Sequence, residues 1–292
     1  MTVLKDSLIE FIRRTSVEIP DDVQRVLLRS LESEKKGTIA SSALHIIQKN
    51  IEMAKSKSQP ICQDTGSVLF FVEVPKDYDQ ILFEETAREA VTEATKLGYL
   101  RQNSVNSITG KNDGTNVGPG SPTFHFHQHR SPDVQARLVL KGGGCENVGA
   151  QYSLPIEKLK ANRDLDGSRK AILDAVLQAQ GKGCGPGVLG VCIGGDRATG
   201  YAFSKEQLLR KLDDRNSDPD LDKLEQDILK TSNELGIGPM GFGGGTTLLG
   251  VKICARNRVP ASYFVSISYM CWAFRRQGIT LSSKGQIENW LY

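Results

Sequence analysis

The sequence predicts an α/β protein, with a mixed α+β arrangement also compatible, in which a helical N-terminal layer packs on a mixed β-sheet core. Three observations carry this expectation. Apolar residues recur at helical spacing through most of the first hundred positions. Short runs rich in Val, Ile and Phe, bounded by Gly or Pro, begin at Ser67 and return later in the chain. Helical patterns reappear between the later strand patterns.

Residues 2–14 read as an amphipathic helix. A second helix opens at Pro20 in "PDDVQRVLLRSLESEKK", with Leu27, Leu28 and Leu31 at helical spacing. "SSALHIIQKNIEMAKSK" from Ser41 is a third, with His45 expected to pack in the core. "SVLFFVEVP" lies between Gly66 and Pro75 and reads as a buried strand. "EETAREAVTEATKLGYL" from Glu84 is a fourth helix.

"TFHFHQH" alternates and puts His125, His127 and His129 on one strand face. No carboxylate or cysteine nearby in sequence completes a metal site there, so a half-exposed strand edge is expected. "VQARLVLK" is another strand, and "SRKAILDAVLQAQGKG" a helix with Gly181 as C-cap. "GVLGVCIGG" is apolar and reads as a buried strand reaching a loop. "KEQLLRKL" and "DPDLDKLEQDILKTSNELG" read as helices, the latter with an acidic first turn suited to the helix dipole. "TTLLGVKICARN" and "ASYFVSISYMCWAF" are late strands. No repeat or linker interrupts the chain, so residues 1–292 are expected to form a single domain.

Composition narrows the function. The 37 basic and 34 acidic residues leave a net charge of +3, which is no electrostatic footprint for nucleic acid. No apolar run reaches the roughly eighteen residues of a membrane span, and the N-terminus lacks a signal-peptide pattern. A cytoplasmic protein with no nucleic-acid or membrane partner is expected. The six cysteines include no CxxC pair, and a disulfide framework is not expected. The 29 glycines exceed the usual share of about 7%. Most of them fall in four clusters, as in loops that approach a small ligand. None of these loops fits a nucleotide-phosphate motif.

Cys62, Cys184 and Cys271 each stand where an apolar strand meets a loop. Their wide separation excludes a local metal motif and leaves a site assembled by the fold.

Five stretches carry a resemblance. "CQDTG" at 62–66, "KGGGCEN" at 141–147, "GKGCGPGVLGVCIGG" at 181–195, "GTTLLGVKI" at 245–253 and "YMCWAFRR" at 269–276 resemble the α subunit of the two-subunit class I fumarase and L(+)-tartrate dehydratase family. The resemblance runs to about Gly278. It implies a [4Fe–4S] cluster held by Cys62, Cys184 and Cys271, with one iron left without a protein ligand. It implies that Gln63 binds a substrate carboxylate or hydroxyl, that Asp64 is the general acid, and that Arg101 pairs with a substrate carboxylate. Without the resemblance, Asp64 is an ordinary Asp-Thr-Gly turn residue. Gly142, Gly143 and Gly144 would bring backbone N–H groups to the substrate. Arg275 and Arg276 would serve structure or subunit contact, and Cys145, Cys192 and Cys254 would not be ligands.

The chain departs from the family at Val259, where a substrate-contacting histidine is common. The segment that carries the catalytic base in single-chain members is expected on a β subunit, giving an α2β2 enzyme. The implied activity is reversible dehydration of a 2-hydroxy dicarboxylate, malate to fumarate or tartrate to oxaloacetate. The rival readings are a non-catalytic iron–sulfur redox or iron-sensing protein and a zinc-holding structural module, the latter disfavoured by the lack of CxxC or Cys-His pairs.

Overall fold

The computed structural model describes residues 2–292. The helices are α1 (Thr2–Val17), α2 (Asp21–Ser33), α3 (Ile39–Lys57), α4 (Gln80–Lys96), α5 (Gly143–Asn147), α6 (Leu165–Ala179), α7 (Arg197–Gln207) and α8 (Pro219–Glu234). The strands are β1 (Ser67–Pro75), β2 (Thr123–His129), β3 (Val134–Lys141), β4 (Ala150–Ser153), β5 (Gly187–Gly194), β6 (Leu248–Arg256), β7 (Phe264–Met270), β8 (Arg275–Leu281) and β9 (Ile287–Trp290). The protein is therefore mixed α/β, with helices leading the chain.

The chain forms two compact units. The first comprises the chain up to Asp21, Lys49–Gly143 and Ala273–Tyr292; the second comprises Asp22–Gln48 and Gly144–Trp272.

The first unit is built on a five-stranded sheet in the order β2-β1-β3-β8-β9. β1 pairs in parallel with β2 and antiparallel with β3, and β8 continues the antiparallel run beside β3. Alternation along β1 sends Val68, Phe70, Val72 and Val74 into one core. There they meet Leu8, Phe11 and Ile12 of α1 and Phe83, Ala87, Ala90 and Val91 of α4. Full burial of a ring such as Phe70 contributes about 1.5–3 kcal/mol, which is why this face sets the strand's register. α4 starts where Asp79 caps it, its carboxylate accepting from the Leu82 N–H.

The second unit carries a four-stranded sheet in the order β4-β7-β5-β6. β5 is parallel to β6, antiparallel to β7 and buried along its whole length. α7 lies hard on β5. A Cβ at Gly190 would collide with the Ser204 carbonyl and stand 3.1 Å from Leu208 Cγ. α8 begins with Pro219 behind the Asp218 cap and buries Glu225. The Glu225 carboxylate accepts from the Ile253 N–H at 2.7 Å and from Arg210 at 2.7 Å, so the charge is paired where it is buried.

The structure corrects several local expectations. Only the first three residues of "KEQLLRKL" are helical: α7 starts earlier, where Asp196 accepts from the Ala198 and Thr199 N–H groups, and it ends at Gln207. The C-cap of α6 is Gln180, at φ 47°, rather than Gly181. Gly181 is instead required by close approach, since a Cβ there would lie 2.6 Å from the Met240 carbonyl oxygen. Leu28 is exposed while Leu27 is buried. His45 is exposed, its Nδ1 2.8 Å from the Ser41 carbonyl one turn earlier. β2 is an edge strand with His127 exposed, as the alternating histidines indicated, and His125 stacks on Phe71.

Candidate functional site

In the first unit the "CQDTG" loop is pinned to the end of the sheet. Gly66 has φ +75°, and a Cβ there would overlap the Lys141 carbonyl and lie 2.6 Å from the Gly142 nitrogen. Only glycine lets the loop come this close to the end of β3. The approach places Asp64 against the residues that follow β3. Asp64 Oδ2 accepts from the Gly143 N–H at 2.6 Å, and Oδ1 accepts from Asn103 Nδ2 at 2.6 Å. The Asp64 N–H is directed at Cys62 Sγ, 3.4 Å away. A Cβ on Gly142 would stand 3.0 Å from Asp64 Oδ2, so this glycine leaves the carboxylate its room. A carboxylate offers about four lone-pair sites. Two are taken by these donors.

The backbone of Arg101 is fixed to the same loop. The Thr65 hydroxyl donates to the Arg101 carbonyl and accepts from the Arg101 N–H, each at 2.8 Å. Buried Asn116, at φ 60°, organises the residues that follow. Its Oδ1 accepts from the Asn103 and Ser104 N–H groups, and its Nδ2 donates to the Arg101 carbonyl and Thr95 Oγ1. The side chains of Arg101 and Gln63 are exposed above this scaffold.

Buried cations stand at this end of the sheet. Lys141, Arg275 and Arg276 are each 1% exposed or less, at the end of β3 and the start of β8. Arg275 Nη1 donates to the Asp64 carbonyl at 2.6 Å. Arg276 is directed elsewhere, with its guanidinium over the rings of Phe274 and Tyr292 at 4.7 and 4.2 Å. Sequence reasoning assigned Arg275 no part in the site. The signal available was a pair of arginines directly after the apolar "YMCWAF".

In the second unit, Cys184 closes the short turn Gln180–Gly183 in a left-handed conformation, φ 54° and ψ 58°. It is exposed and stands just ahead of β5. Its carbonyl accepts from the Trp272 N–H at 3.3 Å, which ties it to the residue following Cys271. Cys271 is buried at the end of β7, and its N–H donates to Cys145 Sγ at 3.3 Å. The Tyr269 ring is wedged between two glycines. A Cβ on Gly183 would meet its Cδ1 at 2.9 Å, and one on Gly187 its Cε2 at 2.7 Å. The Tyr269 hydroxyl is pushed well above its ordinary value, first by burial and then by Cys271, Cys145 and Cys184 around it. Among the described residues, no group of three His, Cys, Asp or Glu side chains is arranged to hold a metal ion. Val259 sits on an exposed loop after β6 and is 66% accessible.

A profile of the fumarate hydratase (fumerase) family matches residues 5–280. The chain belongs to the class I fumarate hydratase and L(+)-tartrate dehydratase α-subunit family. It is 50% identical, over its whole length, to a putative fumarate hydratase class I of Geobacillus stearothermophilus, and spans 58% of that protein. It is 33% identical to a putative L(+)-tartrate dehydratase subunit alpha of Methanocaldococcus jannaschii, covering 94% of this chain and 95% of that one. The L(+)-tartrate dehydratase subunit alpha of Escherichia coli K12 is 28% identical, over 98% of this chain and 93% of its own. The family is one of hydro-lyases of the fumarase and tartrate dehydratase type. In this member the first unit holds Cys62, Gln63, Asp64, Arg101, Gly142 and Gly143, and the second holds Gly144, Cys184 and Cys271. Among the described residues, no helix is long and apolar enough to cross a membrane.

Proposed function

We propose that this chain is the α subunit of a hydro-lyase that reversibly dehydrates a 2-hydroxy dicarboxylate, malate to fumarate or tartrate to oxaloacetate. A [4Fe–4S] cluster and a β subunit in an α2β2 assembly complete it. The observation that carries the reading is the Asp64 carboxylate, oriented by Gly143 and Asn103 on the loop that also bears Cys62 and Gln63. A lone turn aspartate has no need of a buried arginine on its carbonyl and a glycine cradle beside its Oδ2.

The thiols suit the cluster by their chemistry. Cys62 Sγ accepts an amide hydrogen bond, Cys184 is exposed, and Cys184 and Cys271 are tied through Trp272. Thiolates are the usual ligands of such clusters, and Cys62, Cys184 and Cys271 would hold it. When bound, the cluster supplies a Lewis-acidic iron for the hydroxyl that leaves.

The chain's own residues do the rest of the work available to them. Asp64 holds a proton on a carboxyl oxygen and delivers it to the departing hydroxide, so that water leaves. Its two fixed hydrogen bonds set the carboxyl plane without rotamer loss at the moment of transfer. The Arg101 guanidinium pairs with one substrate carboxylate through two parallel N–H donors. The Gln63 amide hydrogen-bonds a second oxygen. Removal of the C3 proton falls to a group on the β subunit. The name "subunit alpha" of two relatives supports such a partner.

Anaerobic co-purification with the cognate β subunit, followed by fumarate absorbance on adding malate, tests this reading. Turnover of malate or tartrate is the expected result. A full cluster with no turnover of either acid would overturn it in favour of a redox or iron-sensing protein. Zinc without sulfide in the purified chain would instead point to the structural module.

A further inference from the structure

Two cysteines outside the candidate site face each other. Cys192 and Cys254 are register partners on the adjacent parallel strands β5 and β6. Paired strands lie about 4.8 Å apart, inside the Cα separation of roughly 4.4–6.8 Å that a disulfide tolerates. Both are free thiols, and each perturbs the ionisation of the other. Gly190 turns its open face to Ser204 and Leu208, so alternation points Cys192, and with it Cys254, to the same side of the sheet.

The two sulfurs are not equivalent. Cys192 is fully buried, whereas Cys254 is 9% exposed. Cys254 lines a surface cavity of about 440 Å³ together with Arg210, Arg215, Asn216 and Arg256. Glu206 on α7 also faces the pair. The Cys254 thiol is held below its ordinary value, first by the hydrogen bond from Cys192 and then, against burial and Glu206, by the Arg256 and Arg210 guanidiniums. The same hydrogen bond, with burial, pushes Cys192 up. Of the two, only Cys254 borders this cavity. A thiol at the edge of a cavity lined by guanidiniums, with a second thiol as its cross-strand partner, is the arrangement of a peroxide-reactive pair.

We propose that Cys192 and Cys254 form an oxidation site for hydroperoxides. The Cys254 thiolate attacks the terminal oxygen of the hydroperoxide. The O–O bond breaks, water or an alcohol leaves, and Cys254 becomes a sulfenic acid. The Cys192 thiol then attacks that sulfur, expels water and closes a disulfide between β5 and β6. The dithiol loses two electrons and the peroxide gains them. Neither cysteine is among the residues assigned to the cluster, so this reaction is separate from loss of a cluster ligand.

The test treats the full chain with hydrogen peroxide, alkylates the remaining free thiols and maps the products by peptide mass spectrometry. A parallel sample is trapped with dimedone, which marks sulfenic acids. Expected are loss of both Cys192 and Cys254 to alkylation, one peptide linking them, and recovery of both with dithiothreitol. In Cys192→Ala, dimedone should accumulate on Cys254, and in Cys254→Ala it should not appear on Cys192. The mapping on the unsubstituted chain requires no variant, so a poorly folding variant leaves the test intact. Absence of the linked peptide once Cys62 or Cys184 has reacted, or dimedone on Cys192, overturns the proposal.

Discussion

Arg275 Nη1 holds the backbone carbonyl of Asp64 at 2.6 Å. The guanidinium is 1% exposed and sits on the first residue of β8, opposite Leu140 of β3. It thus joins the sheet to the peptide whose side chain is the candidate acid. Arg275→Met should remove this donor and leave the Asp64 carbonyl without it. We expect kcat of the reconstituted enzyme to fall about ten- to a hundredfold, with KM little changed, as for a misplaced acid. Unfolding stability should drop by about 2 kcal/mol. Unchanged kcat with lowered stability would make Arg275 purely structural.

Asp64→Asn keeps the shape of the side chain but cannot deliver a carboxyl proton. One amide group must also face either the Gly143 N–H or the Asn103 amide, both donors in the present geometry. Turnover should fall about 10²–10⁴-fold, while cluster absorbance stays. Near-normal turnover in this variant would remove Asp64 from the chemistry.

Gly66→Ala should be among the most damaging single changes. It combines a left-handed backbone at φ +75° with overlap on the Lys141 carbonyl. The cost should reach about 3 kcal/mol or more, read as a lowered urea midpoint with unchanged m. A midpoint within error of the unsubstituted chain would mean that the loop is not pinned as described.

Cys271→Ser, Cys184→Ser and Cys62→Ser should each abolish most of the cluster's visible absorbance after anaerobic purification. Air should inactivate the loaded enzyme, and iron with thiol should restore it. Full absorbance in Cys271→Ser would refute the ligand assignment, and full activity in air would argue against an iron left open to substrate.

Lys252 offers a pH test in the second unit. It is 3% exposed on β6 and its ammonium lies 2.5 Å from Asp214 Oδ1. Burial raises the Asp214 carboxyl, but hydrogen bonds from Arg210 and Lys252 outweigh it and hold the group below the usual range. A depressed folded value means that the contribution is fully present above the unfolded carboxylate value, about 3.9. It is lost as pH falls through the folded value below that. Asp214→Asn should therefore cost about 2–3 kcal/mol at neutral pH and flatten the fall in stability below about pH 4. Urea unfolding at stepped pH measures both. An acid limb identical in the two proteins would contradict the pairing.

Much of this could be read from residues alone, where one physical signal dominated. "SVLFFVEVP" is β1 to the residue because its apolar run ends at Gly66 and Pro75. α8 was legible from Asp218, Pro219 and Gly236, which act locally. β8 was not: "RRQGITL" looks polar, and its complete burial arises from pairing with β3, far away in sequence. "KEQLLRKL" misled because Leu208 is apolar for a tertiary reason, its packing at Gly190, rather than as part of a helical stripe. The same limit applies at the site. The triplet after Cys62 was conspicuous, but Asn103, Asn116 and Arg275 matter through hydrogen bonds that no spacing announces.

The wedged ring of Tyr269 has a consequence for how this sequence can vary. Its edge occupies the space that a Cβ of Gly183 or Gly187 would need, on both sides of Cys184. Neither glycine can gain a side chain while the tyrosine stays, and a smaller residue at 269 would leave a void that only larger neighbours could fill. The three positions form one mutational unit: single replacements lead downhill, and paired ones open the remaining route. Gly187→Ala combined with Tyr269→Leu should recover stability that Gly187→Ala alone loses.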